Sequence, residues 1–425
     1  MADDWQTMTV ADLGRVVTGK TPATAKPHLY GQGYPFITPT DIGNFRYSKP
    51  LRQLSEEGRE SQRNLLLPAN SVCVTCIASV GKMCMTDRPS LTNQQINSVI
   101  VDETRHDPFF AYYLLQTRVE HLKSIAGGAA TPIVNKTAFS EIEVCVPPLP
   151  VQQRIAGILS AYDELIENSQ RRIRILEAMA RALYREWFVH FRFPGHENYR
   201  RVASRLGEIP LGWGVKRLDG ICRSIQDGDW IETKDQGGED YRLLQISNVG
   251  VGEFIETGNF RYVTQETFDR LRCNEIVPGD LLVARMPTPI GRGWLATKMP
   301  WRMITAVDVA IIRAEPTVIS PLLLVQAWNE ASNLQRIAAQ ASGTTRLRIT
   351  RRELAAMEFL IPRVSVQKRF AEIVQPQSAM IEVLRQQIQN LRRTRDLLLP
   401  RLLSGQVAVD ALSGAISDSP AGPPQ

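Results

Sequence analysis

Apolar side chains recur along residues 155–187 in steps that alternate four, three, four, three. They are Ile155, Leu159, Tyr162, Ile166, Ser169, Ile173, Leu176, Ala180, Leu183 and Trp187, with Ser169 the single polar member. That spacing is the a/d seam of a heptad repeat. Glu164, Glu167, Arg171, Arg172, Arg174 and Arg185 fall on the other faces. The pattern predicts one helix of about 50 Å, at 1.5 Å per residue. A single apolar stripe on such a helix requires a partner.

The same chain supplies it. Adding 215 to each seam position gives Phe370, Val374, Gln377, Ile381, Leu384, Ile388, Leu391, Arg395, Leu398 and Leu402, eight of them apolar and in the same heptad phase. The residues leading into the two helices match as well: Pro147, Val151, Gln152 and Arg154 recur as Pro362, Val366, Gln367 and Arg369. Pro400 is expected to kink or end the second helix, because proline has no N–H to donate.

The segments outside the helices also repeat, with a period of about 210 residues, far longer than a solenoid unit. In the first globular unit YPFIT, SVCVTCI and INSVIV read as strands. Residues 108–123 read as a helix opening on Pro108. Gly- and Thr-rich loops lie between them at 18–22, 79–82 and 127–136. In the second unit Tyr241–Leu244 answers Tyr34–Ile37, and Asn248 answers Asp41. Gly291-Arg292 answers Gly81-Lys82, and the loop after Gly343 answers the loop after Gly128. Residues 321–338 answer the helix at 108. The expected division is a globular unit at 1–146, a helix at 147–188, a linker at 189–212, a second unit at 213–361, a second helix at 362–410 and a disordered tail at 411–425. The fold class is α+β: two repeated mixed α/β domains separated by two long antiparallel coiled-coil helices with pseudo-two-fold symmetry. Paired helices of fixed length act as a spacer.

The order of short motifs resembles that of the specificity subunits of type I restriction-modification systems. PPLPVQQRIAGILSAYDELIENSQRRI in the centre and IPLGW-x-x-x-x-L at 209–218 carry most of the likeness. TGKTP, ITPTDI, SVGK and GTTRLRIT follow in the matching order. The resemblance covers residues 5 to about 410. The chain departs from the family pattern at GGAAT, which stands in place of a glycine-threonine cluster, and at Pro400. The resemblance implies two target-recognition domains, each reading one half of a bipartite, asymmetric site on double-stranded DNA. It implies paired helices that set the gap and dock two methyltransferase subunits, with restriction subunits able to join. S-adenosylmethionine would belong to the methyltransferase partner, and ATP and magnesium to a restriction partner. This chain itself would be a non-catalytic part of an adenine-methylating complex, with no cofactor of its own.

The remaining chemistry agrees. GRVVTGKT at 14–21 has the spacing GxxxxGK[ST] of a phosphate loop but reads as a turn, and there is no NPPY-type methyltransferase motif or HExxH pair among the five histidines. Asp227, Asp229, Glu232 and Lys234 lie close together beside Gly228 but read as a solvated loop. Cys73 and Cys76 form a CxxC with no second ligand pair at zinc spacing, and the six cysteines fit a reducing compartment. The acidic start MADDWQTMTV lacks a signal-peptide apolar region, and no run reaches membrane-span length, so a cytoplasmic protein without membrane contact is expected. A net charge of +6 permits an acidic partner without establishing one.

Basic side chains suit phosphates and guanines; Asn and Gln suit adenines. On the repeated loops these are Lys20, Lys82, Gln94, Gln95 and Lys136 in the first unit, and Arg285, Arg292, Arg346, Arg348 and Arg351 in the second, each of which reads equally well as a plain surface charge or a structural ion pair. Thr38, Thr40, Asp41, Gln245, Ser247 and Asn248 end a predicted strand and either face a groove or cap a turn. Two further readings compete: a nuclease or methyltransferase with unrecognised catalytic residues, and a scaffold whose two units bind protein.

Overall fold

The computed structural model describes residues 4–43, 45–128, 131–256, 260–286, 289–343 and 346–407. The tail expected to be disordered lies outside the described residues, as do Thr344 and Thr345. Two compact units divide the chain. Unit 1 comprises Met1–Gln170 together with Arg385–Gln425; unit 2 is Arg171–Leu384. Both boundaries fall inside long helices, Leu149–Tyr184 and Val364–Leu403. The first continues into a π-turn over Arg185–Val189.

Unit 1 is built on a four-stranded antiparallel sheet, Gly14–Thr18, Ile96–Val101, Val72–Thr75 and Met83–Met85 in spatial order. Alternation is weak in these strands, because Val72–Thr75 and Met83–Met85 are buried on both faces. Beside it lies a three-stranded sheet in which Tyr30–Ile37 pairs antiparallel with Gln53–Leu54 and parallel with Leu91–Thr92. A third, two-stranded sheet joins Gln6–Thr9 to Glu143–Val146.

Unit 2 repeats all three. Its four-stranded order is Cys222–Asp227, Val309–Ala314, Asp280–Ala284 and Gly293–Leu295. Tyr241–Leu244 pairs antiparallel with Tyr262–Val263 and parallel with Arg302–Thr305, and Gly214–Arg217 pairs with Glu358–Ile361.

The expected single helices at 108–123 and 321–338 are each broken in two, at Pro108–Gln116 and Val119–Ser124, and at Pro321–Trp328 and Ala331–Gln340. A polar side chain ends the first segment each time. Thr117 Oγ1 donates back to the Leu114 carbonyl, and Asn329 Nδ2 to those of Val325 and Gly293. Such side-chain bonds compete with the helical ladder. The first segment's start is capped by Asp107, whose carboxylate accepts from Phe110 N.

Each unit contains one stretch of paired long helices. In unit 1, Ile155 and Leu159 share the core with Leu402 and Leu403. In unit 2, Ala180, Tyr184, Trp187 and Phe188 share it with Phe370 and Val374. The pairing runs antiparallel, since Asp163, one turn beyond Leu159, meets Arg395. Ile155, Leu159, Ile166, Ile173, Val374, Ile381, Leu384 and Ile388 are buried, and Leu176, Leu183, Leu391 and Leu398 are half-buried.

Pro400 does not end the second helix, which runs to Leu403, nor does Pro376 interrupt it. Both prolines are exposed, so the carbonyls that lose a partner face water, while Leu402 and Leu403 hold the last turn in the core. The segment expected as a linker, 189–212, is folded. Arg201–Ser204 and Gly207–Pro210 form a hairpin. Phe193, 1% exposed, sits against Tyr199 and Trp213. Four aromatic rings between 188 and 199 carry too much apolar area to be left in water.

The matching residues before each helix form a clamp. Gln152 Nε2 donates to the Pro147 carbonyl at 2.8 Å, while its Oε1 accepts from Asp107 N at 3.0 Å. Gln367 repeats this with Pro362 and Ser320 at 2.9 and 3.0 Å, and adds the Val318 carbonyl. Both glutamines are buried, and each fastens a long helix to the run-in of the helix at 108 or 321.

Candidate nucleic-acid interface

One edge of unit 1 gathers most of the singled-out polar residues, and backbone hydrogen bonds explain how. Gly19 N donates to the Ile96 carbonyl and Lys20 N to the Thr92 carbonyl; Asn93 N donates to the Ile37 carbonyl. The strand ends before Lys20, Thr38 and Gln94 are thereby tied together. Gly19 is required there, because a Cβ would lie 2.3 Å from the carbonyl oxygens of Thr92 and Asn93. Cys76 N then donates to the Gln95 carbonyl, and Val134 N to the Cys76 carbonyl. This brings in the turn carrying Lys82 and the loop that ends at Lys136, the first residue of helix Lys136–Ser140.

Unit 2 makes the same bonds with different side chains. Gly228 N donates to the Val309 carbonyl, Asp229 N to Thr305, Ala306 N to Leu244, Arg285 N to Asp308 and Ile349 N to Arg285. A Cβ at Gly228 would again meet two carbonyls, those of Ala306 and Thr305. The ladder aligns Thr18 with Asp227, Cys76 with Arg285, Gln95 with Asp308, Ile133 with Arg348 and Lys136 with Arg351.

The side chains divide by what they touch. Lys20, Lys82, Gln94, Lys136, Ser247 and Arg346 are exposed. Thr21 Oγ1 donates to Gln94 Oε1, and Asn93 Nδ2 to Gln95 Oε1. Thr38 and Thr40 lie on a turn closed by Asp41, whose carboxylate accepts from Thr38 N and Oγ1 at 2.8 and 2.6 Å. Asn248 does the same for Gln245 N and is 2% exposed. Arg292 sits inside unit 2, its guanidinium donating to the carbonyls of Val249, Ile246 and Pro289. Arg285 is 4% exposed and paired at 3.0 Å with Asp227, with burial lowering its pKa. Arg348 pairs with Asp308 at 3.1 Å, and Arg351 lies 3.9 Å from Asp227. An open groove of about 820 Å³ runs past Arg223, Arg285, Arg348, Arg351 and Arg352.

Known proteins resemble this chain in sequence and in fold. Residues 2–178 match the type I restriction modification DNA specificity domain. The MjaIX type I restriction enzyme specificity subunit of Methanocaldococcus jannaschii is 27% identical, with 96% of this chain and 95% of that protein aligned. Over nearly its whole length the chain is thus similar to the specificity subunits of type I restriction-modification systems. The HindI specificity subunit of Haemophilus influenzae is 36% identical over 41% of this chain and 39% of its own length. A crystal structure of a type I system S subunit from M. genitalium shares the fold, with TM-score 0.57 and 15% identity over 95% of this chain and 97% of that one.

One exposed residue at the edge lies outside the motifs. Trp230, 72% exposed, projects from the loop after Gly228. Its signal was a tryptophan inside the polar run QDGDWIETKD. The CxxC cysteines are buried around a strand, with Cys73 opposite Cys84, and burial raises the Cys76 thiol to about 11. Asp227, Asp229 and Glu232 turn to separate partners: Arg285, Asn274 and Lys234. Among the described residues no three His, Cys, Asp or Glu side chains gather as metal ligands, and no helix is long and apolar enough to cross a membrane.

Proposed function

We propose that this chain is the non-catalytic DNA-specificity subunit of a type I restriction-modification complex, acting in the cytoplasm on double-stranded DNA. Each unit reads one half of a bipartite site, and the long helices set the gap and dock two methyltransferase subunits, which restriction subunits can join. S-adenosylmethionine, and ATP with magnesium, act in those partners.

The observation that carries this reading is the repeated edge. One set of backbone bonds, made twice in one chain, presents two different sets of polar side chains. Two readers of this kind suit an asymmetric site, because direct readout depends on side chains while the scaffold fixes where they stand. We assign the exposed Lys20, Lys82, Lys136, Arg346 and Arg351 to phosphates. Gln94, Gln95 and Arg348 face base edges, and Thr38, Thr40 and Gln245 stand on the turns beside them. Arg285, Arg292 and Asn248 support the edge from behind.

The test compares the purified chain with the assembled complex. The chain alone should neither methylate nor cleave DNA. The complex should bind one bipartite sequence selectively, with an affinity that falls as salt rises, by about 0.9 log units per log unit of salt for each phosphate neutralised. Robust S-adenosylmethionine-dependent methylation by the chain alone, or binding of the complex indifferent to sequence, would overturn the reading.

A further inference from the structure

The two edges share a backbone and differ in chemistry in a paired manner. Where unit 2 has Asp308, unit 1 has Gln95; where unit 2 has Arg348, unit 1 has Ile133. The same holds one layer deeper, where Asp227 and Arg285 replace Thr18 and Cys76. Acid and arginine come together or not at all. Arg285 is buried beside Asp227. Arg348 is not: its side chain stays 40% exposed, over the groove, and Asp308 is 34% exposed.

Resting on the specificity-subunit reading, we infer that Arg348 reads the guanine of a G·C pair in the half-site of unit 2, with Asp308 as its positioning residue. A guanidinium is a planar fork with five donors. Asp308 holds it at Nη2, and no other described residue pairs with its charge. Fixing one side of the fork removes much of the freedom that a long side chain would lose on meeting a base. The donors that remain match the O6 and N7 acceptors of guanine, which adenine cannot supply as a pair. At the equivalent place unit 1 offers the amides of Gln94 and Gln95, which donate and accept and so match adenine N6 and N7. The two halves of the site therefore differ in the base that each edge selects.

The experiment maps methylated bases genome-wide in cells carrying the complete complex, with wild-type chain, Arg348→Gln, Asp308→Asn or Gln95→Ala. Arg348→Gln should relax one G·C pair in one half-site, with discrimination there falling about 5- to 150-fold. Asp308→Asn should weaken discrimination at that same pair by less, with the melting of the purified chain unchanged. Gln95→Ala should alter only the other half-site. Arg348→Gln lowering methylation of all sequences alike would make Arg348 a phosphate contact and overturn the inference, as would a unit 2 half-site without a sensitive G·C pair. If Arg348→Gln fails to fold, Asp308→Asn leaving that pair untouched overturns it instead. A wild-type complex that methylates without sequence preference would overturn the specificity-subunit reading itself, which is a separate failure.

Discussion

Arg395 breaks the apolar seam of the second long helix, where the first has Ala180, and its partner makes the break testable. Asp163 is 5% exposed, accepts from the Tyr113 hydroxyl at 2.6 Å, and meets Arg395 Nη1 through its other oxygen. Arg395→Met keeps the aliphatic stem and deletes the charge. It leaves a buried carboxylate with a neutral donor alone, and breaking a buried pair costs about 3–5 kcal/mol. Arg395 is 23% exposed and Tyr113 still donates, which places the expected loss near 3 kcal/mol, the lower end of that range. Asp163→Asn removes the negative charge while Arg395 keeps Asp396, 2.7 Å away, so a loss of about 1–2 kcal/mol is expected. The double variant removes both charges and should lose less than the sum, with a coupling of about 1–2 kcal/mol. Urea unfolding followed by circular dichroism at the helical band measures all four proteins. Six of the seven tryptophans lie within unit 2, so fluorescence tracks that unit and separates its transition from that of unit 1. Additive losses, with coupling under about 0.3 kcal/mol, would refute the pairing argument.

Gln152→Ala and Gln367→Ala should each cost about 1–3 kcal/mol by stranding the N–H of Asp107 or of Ser320, and hydrogen exchange should quicken at the start of the affected helix alone. Glu315 has its pKa lowered from 4.5 to about 2 by hydrogen bonds from Arg223 and Thr317. Its contribution is present above pH 4.5 and lost as pH falls toward 2, so Glu315→Gln should flatten that part of the stability curve, read by melting temperature against pH. Seven residues inserted in heptad phase into both helices, near Ser169 and Leu384, lengthen each by about 10 Å. The methylated half-sites should then move apart by roughly three base pairs at 3.4 Å each, and unchanged spacing in an active variant would show that the helices do not set the gap.

The heptad seam, the strands and the repeat were legible because each rests on periodicity, and the chain states its period twice. Pro400 misled, because a local rule gave way to tertiary burial of Leu402 and Leu403. The aromatic cluster at 188–213 hid under the Pro and Gly content of a linker. Thr117 and Asn329 break their helices by bonds that no apolar pattern records. Residue type made Arg292 and Lys82 equivalent candidates, yet three carbonyls hold Arg292 inside the domain while Lys82 is exposed. The pairing of Arg348 with Asp308 joins residues forty apart and became visible only once the edge was assembled.

The division of the chain has a consequence for its birth on the ribosome. Unit 1 needs residues from 385 onward, so it stays incomplete until nearly the whole chain has been made, whereas unit 2 is a single uninterrupted segment. Between Gln170 and Arg385 lie 214 residues, which take about 10–40 s to synthesise at 5–20 residues per second. Throughout that interval Ile155 and Leu159 wait without Leu402 and Leu403, and the half of the protein made first is the last to close.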